Sequence, residues 1–324
     1  MTIETINQII GGKIITEGKE EVFRAVVYAK ACEEGDLCFV TDAEEKETAL
    51  AQKAGVLVCT QDLAEEKASY TQIVVEDIKD AAFKLAGEVV SEEDASLELL
   101  LEKEMTFLKM ILVQKKSVEI LPKDWKKAYN RLMESPKRLF LTTDEALFKA
   151  ARKKKEKYGK KAPGHIVSAD SLFRTTFKID KYIYQYKQMT FFHLPALRTA
   201  VALCQEYELD HNIDKIGYTK HFRPVFLEGE PSVQDVMKND KVVILSDNLE
   251  DILEGREYAS DIGHWMAKTL VMVPPKTKVE GVKYPTYYHD EEDLLEKIEQ
   301  LAYNYLFILT QEEGLWQKIQ SRFC

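Results

Sequence analysis

Glycine is scarce. The chain has fourteen in 324 residues, well under the usual share of about 7%, which leaves little material for loops that wrap phosphate with main-chain amides. Each Gly-Lys pair also lacks the hydroxyl that such a loop places next: Gly12-Lys13 precedes Ile14, Gly18-Lys19 precedes Glu20 and Gly159-Lys160 precedes Lys161. No P-loop is present. The five cysteines, Cys32, Cys38, Cys59, Cys204 and Cys324, are odd in number and form no CxxC pair, pointing to neither a disulfide framework nor a zinc knuckle. Apolar runs such as 305–309 and 270–273 fall far short of the roughly 20 residues that cross a bilayer, so no membrane span is expected. Residues 1–8 carry Glu4 and no basic cluster ahead of an apolar block, so a secretory signal is not indicated and a cytoplasmic location is expected. The six histidines, His165, His193, His211, His221, His264 and His289, show neither HxH nor HExxH spacing, so no metal site is expected. Residues 168–171 lack the GxSxG elbow and are expected to form a loop or helix cap.

What is present is ordinary globular material: 45% apolar and 31% charged residues, in a length that predicts two or three domains. The net charge of −10 is unevenly spread, with residues 1–87 and 229–324 each at −8 and residues 88–228 at +6. A basic centre suits an anion-facing surface, although attraction between domains is the simpler reading. The run 149–161 concentrates this charge, with only Glu156 opposing its lysines and arginine. Lys149, Arg152, Lys153, Lys155, Lys160 and Lys161, together with Arg223, are the candidate anion-binding residues. They suit phosphate or nucleic acid, against the favoured alternative of a solvated helix face. Tyr182, Tyr184 and Tyr186 alternate as a base-stacking platform or, more simply, as one face of a strand. The acidic group at 290–293 reads as a helix cap rather than a cation site, and Cys38 as a buried core residue.

Strands and helices alternate along the first third. Isoleucines at 3, 6, 9 and 10 predict a helix stopped by Gly11-Gly12. Strands are expected at 22–27, 37–40, 56–59 and 73–75, and helices at 44–54 and 78–86. Apolar residues from Leu97 to Leu112 predict one long helix over 91–114. Beyond it come a strand at 139–142, a helix at 144–158, strands at 166–170 and 174–179, and a helix at 195–207. The C-terminal part reads as a strand and loop over 241–251, a helix, strands at 269–273, 286–288 and 305–309, and helices at 291–303 and 315–323.

The opening helix ending in Gly11-Gly12, the strand at 23–27, the run Glu34-Gly35-Asp36-Leu37-Cys38-Phe39-Val40, the apolar stretch 49–58 and Ile73-Val74-Val75-Glu76-Asp77 together resemble the uridine-nucleotide-binding domain of Mur ligases, in particular the type that adds D-alanyl-D-alanine. Two positions depart from the family. Tyr28-Ala29-Lys30 stands where it has the Asp-Ser-Arg that helps hold uridine diphosphate, and its Gly-Asp-Gly-His turn is missing. The resemblance resumes with Asp144-Glu145 leading into a helix, Tyr158-Gly159 and the helix 195–207. Arg223 sits where a Gly-Arg pair precedes the family's third domain, and 241–251 resembles a strand and loop reading VLGDM-x-EL.

The resemblance implies an α/β protein of three-part Mur-ligase-like architecture. Residues 1–87 would form the N-terminal domain, 88–228 a reduced central domain without a P-loop, and 229–324 a small Rossmann-like C-terminal domain. It implies a bacterial protein of peptidoglycan precursor synthesis. With no phosphate loop, the expectation is a non-catalytic relative that needs no cofactor and binds a UDP-muramyl peptide or a cell-wall-synthesis protein. Two alternatives are an active amide ligase holding ATP and Mg2+ at an atypical site, and a nucleic-acid-binding module acting through 149–161.

Overall fold

The chain opens with α1 (Ile3–Ile10), whose Ile3, Ile6 and Ile10 are buried on one face. Thr2 caps its start by accepting from the Thr5 N–H at 3.3 Å, and Gly11, at φ +69°, closes it in the left-handed region that glycine favours. The computed structural model describes all residues except 17–20, 63–68, 93–94, 115–117, 136–138, 152–156, 228–240, 263–267, 283 and 313. These described residues form a mixed α/β architecture with four sheets. The chain divides into two compact units, 1–101 with 114–159, and 102–113 with 160–324.

In the first unit, α1 is followed by β1 (Lys13–Thr16), β2 (Ala25–Val26), β3 (Leu37–Phe39), α2 (Ala43–Ala51), β4 (Val56–Cys59), β5 (Thr71–Val74) and α3 (Ile78–Glu92). The sheet order is β1-β5-β4-β3-β2, parallel except where β1 runs antiparallel to β5. Every residue of β3 and β4 is buried, as the unbroken apolar runs of a parallel sheet covered on both faces require. The strand expected at 22–27 shrinks to two residues. Phe23 is 92% exposed and Arg24 is held outward by Glu33 at 3.1 Å and Asp36 at 3.4 Å.

The helix expected over 91–114 is overturned. Its residues form β6 (Ser96–Leu99) and, after Leu100 and Leu101, the separate helix α4 (Glu102–Ile111). The leucine spacing fits one helix as well as a strand followed by a helix, and pairing decides: Ser96 to Leu99 lie in parallel register with Leu139 to Thr142. β7 (Val118–Ile120), α5 (Trp125–Glu134), β8 (Leu139–Thr142) and α6 (Glu145–Ala151) complete the unit, with the parallel sheet order β6-β8-β7. One continuous core, including Phe39, Phe83, Tyr129 and Phe140, joins both sheets. Gly87 is required where α3 meets α6, since a Cβ there would lie 2.3 Å from the Ala151 carbonyl oxygen.

The second unit contains α4 and a three-stranded antiparallel meander, β9 (Gly164–Ser171), β10 (Arg174–Ile179) and β11 (Tyr182–Lys187). Residues 168–171 therefore lie on a strand, not in the expected loop or cap. Their pairing with β10 accounts for this, with Ser168 opposite Thr176 and Ser171 opposite Arg174. α7 (Leu194–Glu206) packs against α4. Then come β12 (Arg223–Phe226), β13 (Val242–Ser246), α8 (Leu249–Glu257), β14 (Thr269–Val273), β15 (Thr286–Tyr287), α9 (Glu291–Gln300), β16 (Tyr305–Leu309) and α10 (Leu315–Phe323). The sheet order is β12-β13-β16-β14-β15, parallel except for β12. Asp290 caps α9 by accepting from the Asp293 N–H at 2.9 Å, so the acidic group at 290–293 serves its helix.

Candidate functional site

At the carboxyl end of β13 a buried polar cluster gathers in the second unit. Lys103 and Thr106 come from α4, His193 from the turn before α7, His221 from the segment before β12, and Asp247 and Asp251 from the end of β13 and the first turn of α8. Lys103 Nζ donates to Asp251 Oδ1 at 2.5 Å, and His193 Nε2 lies 2.9 Å from Asp251 Oδ2. His221 Nδ1 is 2.9 Å from both Asp247 oxygens, and its Nε2 is 2.9 Å from Thr106 Oγ1. Ser246 Oγ donates to the His221 carbonyl at 2.5 Å. The rings of Phe107 and Phe192 present edge-to-face contacts to His193, with centroids 5.9 and 5.0 Å away.

Burial pushes His193 toward its neutral form, outweighing the attraction of Asp251. Burial alone would push Asp251 up, but its bonds to His193 and Lys103 hold it below the ordinary carboxylate range. The two directions agree if Lys103 carries the balancing charge and a neutral His193 donates its Nε2–H to an anionic Asp251. Asp247 is likewise held low, with His221 overcoming the cost of burial. A carboxylate can only accept, so His221 donates through Nδ1. Thr106, His221 and Asp247 thus stand in the order of nucleophile, base and orienting carboxylate. The threonine hydroxyl has a competing acceptor, the Glu102 carbonyl at 2.9 Å within its own helix. The clearest work of the cluster is to tie α4 to β13 and α8.

The sequence-derived candidates do not converge on this cluster. Lys149 pairs with Glu145 at 3.2 Å on α6, Lys160 pairs with Glu206 at 2.5 Å in the other unit, and Lys161 is exposed. Arg152, Lys153 and Lys155 lie outside the described residues, as does most of the continuation of the helix expected to 158. The Arg223 guanidinium lies 3.5 Å from the centre of the Trp316 ring, and burial lowers its pKa. Tyr184 is stacked on Phe177, with centroids 5.4 Å apart. Cys38 is fully buried, and burial pushes its thiol up to about 12. Among the described residues, no group of three or more His, Cys, Asp or Glu could hold a metal.

The Tyr28-Ala29-Lys30 segment does line a cleft in the first unit, of about 340 Å³, together with Asp42, Glu44, Glu45 and Thr48. Its chemistry is acidic. Asp42 caps α2 by accepting from the Glu45 N–H at 2.9 Å, so the helix start is occupied by the chain's own carboxylate. Burial raises Glu45, but its hydrogen bonds to Lys126 and Thr41 more than reverse this and keep it ionised. A diphosphate here would face Asp42, Glu44 and Glu45 against Lys30 and the Lys126 ammonium that already pairs with Glu45.

No protein-family sequence model and no curated protein sequence matches the chain. Solved structures do. A MurF ligase from Thermotoga maritima in complex with ADP aligns over 93% of this chain and 96% of its own, at 11% identity and a TM-score of 0.55. MurF from Acinetobacter baumannii aligns over 99% of both chains, at 10% identity and a TM-score of 0.53. The UDP-N-acetylmuramoylalanyl-D-glutamyl-2,6-diaminopimelate--D-alanyl-D-alanyl ligase of Acinetobacter baumannii aligns over 99% and 98%, at 10% identity and a TM-score of 0.50. The fold is that of a Mur ligase.

Between β6 and α4 the chain runs through two leucines, Leu100 and Leu101. No glycine occurs between Gly87 and Gly159, and the first turn of α4 carries Glu102 and Glu104. Main-chain amides at a helix start attract phosphate, and carboxylates in that turn oppose it. The buried cluster was missed from sequence because its parts are remote, with Lys103 and Asp251 separated by 148 positions. One local signal existed: Asp247 and Asp251 follow the apolar run of β13, and the carboxyl ends of strands are where open α/β sheets build sites.

Proposed function

We propose that the chain is a non-catalytic MurF-like protein associated with bacterial peptidoglycan precursor synthesis in the cytoplasm, acting by binding rather than by ligation. The glycine-free span around β6 and α4 carries this reading. Amide ligation through an acyl phosphate depends on holding a γ-phosphate and Mg2+ in place, which is positioning and charge stabilisation. A two-leucine connection running into an acidic helical turn supplies neither. The carboxylate-lined cleft at Tyr28-Ala29-Lys30 favours a cell-wall-synthesis protein over a UDP-muramyl peptide as the bound partner.

The test is a thermal-shift and turnover series on the whole chain with Mg-ATP, UDP, UDP-muramyl tripeptide and D-alanyl-D-alanine. Binding to the folded state alone raises stability. The expected result is no shift with millimolar Mg-ATP and no ADP release. ATP-dependent ligation by the purified chain would overturn the proposal.

A further inference from the structure

β11 is an edge strand of the order β11-β10-β9. In an antiparallel pair, alternate residues exchange both main-chain bonds with their neighbour and the others turn theirs outward. Among the described residues no strand pairs with the other side of β11, which therefore offers main-chain donors and acceptors to another strand. Its side chains are unusually apolar for such a place: Tyr182 and Ile183 are each 57% exposed and Tyr186 is 56% exposed. Natural edges of this kind are normally shortened, bulged or charged, because they invite strand addition. Here the regular stretch ends at Tyr186, whose φ is +51°, which leaves four residues, 182–185, for pairing.

The charge around this edge selects the occupant. Along 172–187, Arg174, Lys178, Lys181 and Lys187 stand against Asp180 alone, in a chain of net charge −10. Asp180 is engaged by Gln205 at 2.7 Å, Lys187 pairs with Asp214 at 2.5 Å, and Lys181 lies over the Tyr182 ring at 5.3 Å. Exposed His165 sits opposite Lys178 in register. A second copy added antiparallel along β11 would set lysines near lysines at both ends. A base-stacking ligand needs its aromatics free on one face, but Tyr184 is already stacked on Phe177, and Ile183 points to the face opposite Tyr182.

We propose that the open edge of β11 docks an extended acidic peptide segment, which adds a fourth strand to the meander. This rests on the partner-binding reading above and names the chemistry of the partner. It is measured without nucleotide, so ATP turnover would remove that reading without altering this measurement.

The experiment uses the full chain and fluorescein-labelled peptides in anisotropy titrations at low salt: a Glu-Val repeat, a Lys-Val repeat, and a Glu-Val repeat with proline at alternate positions. The Glu-Val peptide is expected to bind with protection from hydrogen exchange of those amides within 182–185 that face away from β10. The other two peptides should bind about tenfold more weakly or less. The surface double variant Lys178→Glu/Lys181→Glu should weaken Glu-Val binding by about tenfold while leaving the thermal midpoint in place. No binding up to about 1 mM, equal binding of the proline peptide, self-association through β11, or binding of a single-stranded oligonucleotide instead of the peptide would each overturn the proposal.

Discussion

Substituting Asp251→Asn removes one negative charge from the buried cluster while keeping its shape. Asp251 is the anion between Lys103 Nζ at 2.5 Å and His193 Nε2 at 2.9 Å, with its side chain only 5% exposed. Breaking a buried ion pair by removing one partner costs about 3–5 kcal/mol. The Lys103 side chain keeps 24% of its exposure and can turn partly to water, and an amide still accepts one hydrogen bond, so a loss of about 2–3 kcal/mol is expected. That corresponds to a fall of roughly 4–12 °C in thermal midpoint for a unit of this size. Urea unfolding followed by circular dichroism at pH 7.5 measures it. Adding Lys103→Met should cost less than the sum of the two single changes, with a coupling of at least about 1 kcal/mol.

The pH dependence has a definite sign. His193 has a lowered pKa in the folded state, so its neutral ring stabilises fully above the unfolded value of about 6.5 and loses that contribution as pH falls from there toward the folded value. Asp251 is also lowered, so its contribution is complete above the unfolded value of about 3.9 and disappears as pH falls through the lower, folded one. The wild-type chain should therefore lose stability in two acid steps, and Asp251→Asn should lack the second. A cost under about 0.5 kcal/mol at pH 7.5, or strict additivity with Lys103→Met, would refute the assignment of Asp251 as the balancing anion.

Two glycines should resist the smallest enlargement. Gly87→Ala must part α3 from the Ala151 backbone, and a loss of about 2–3 kcal/mol is expected by urea titration. Gly255→Ala would place a methyl 2.7 Å from Phe222 Cζ and 3.1 Å from Phe307 Cε1. It should destabilise by about 1–2 kcal/mol despite the better helix propensity of alanine, and a neutral result would show that the rings yield. Thiol titration should find one fast-reacting cysteine in the native chain, Cys324. The other four are buried, burial raises the thiols of Cys38 and Cys204 to about 12, and all five should react in denaturant. More than one fast thiol would contradict the described packing of these residues.

The legible parts of the fold were those where one local pattern sufficed. β4, β14 and β16 are short apolar runs bounded by glycine, proline or polar residues, and each is expected at its observed place. α10 announces itself through Leu315 and Ile319 on one face. Residues 91–114 failed because their leucines satisfy two periods at once, and only a partner some 43 positions away, β8, selects the strand. α5 was readable in principle, with Ala128, Tyr129 and Leu132 along one face, but its many charged residues dilute the stripe. β1 is a four-residue antiparallel addition to a parallel sheet, and nothing in Lys13 to Thr16 marks which edge it joins. The buried histidines were visible only as isolated letters, since pairing His193 with Asp251 or His221 with Thr106 takes the finished tertiary structure.

The assignment of α4 to the unit formed mainly by 160–324, while the residues on either side of it belong to the other unit, has a consequence for how the protein can be made and cut. During synthesis α4 emerges about 80 residues before α7, the helix it packs against, and must wait with Phe107, Leu108 and Ile111 uncovered. Neither unit can be excised as one continuous fragment. A truncation at residue 160 would strip the downstream half of a core helix and of Lys103, so separately expressed halves should recover their structure only when α4 is supplied in trans.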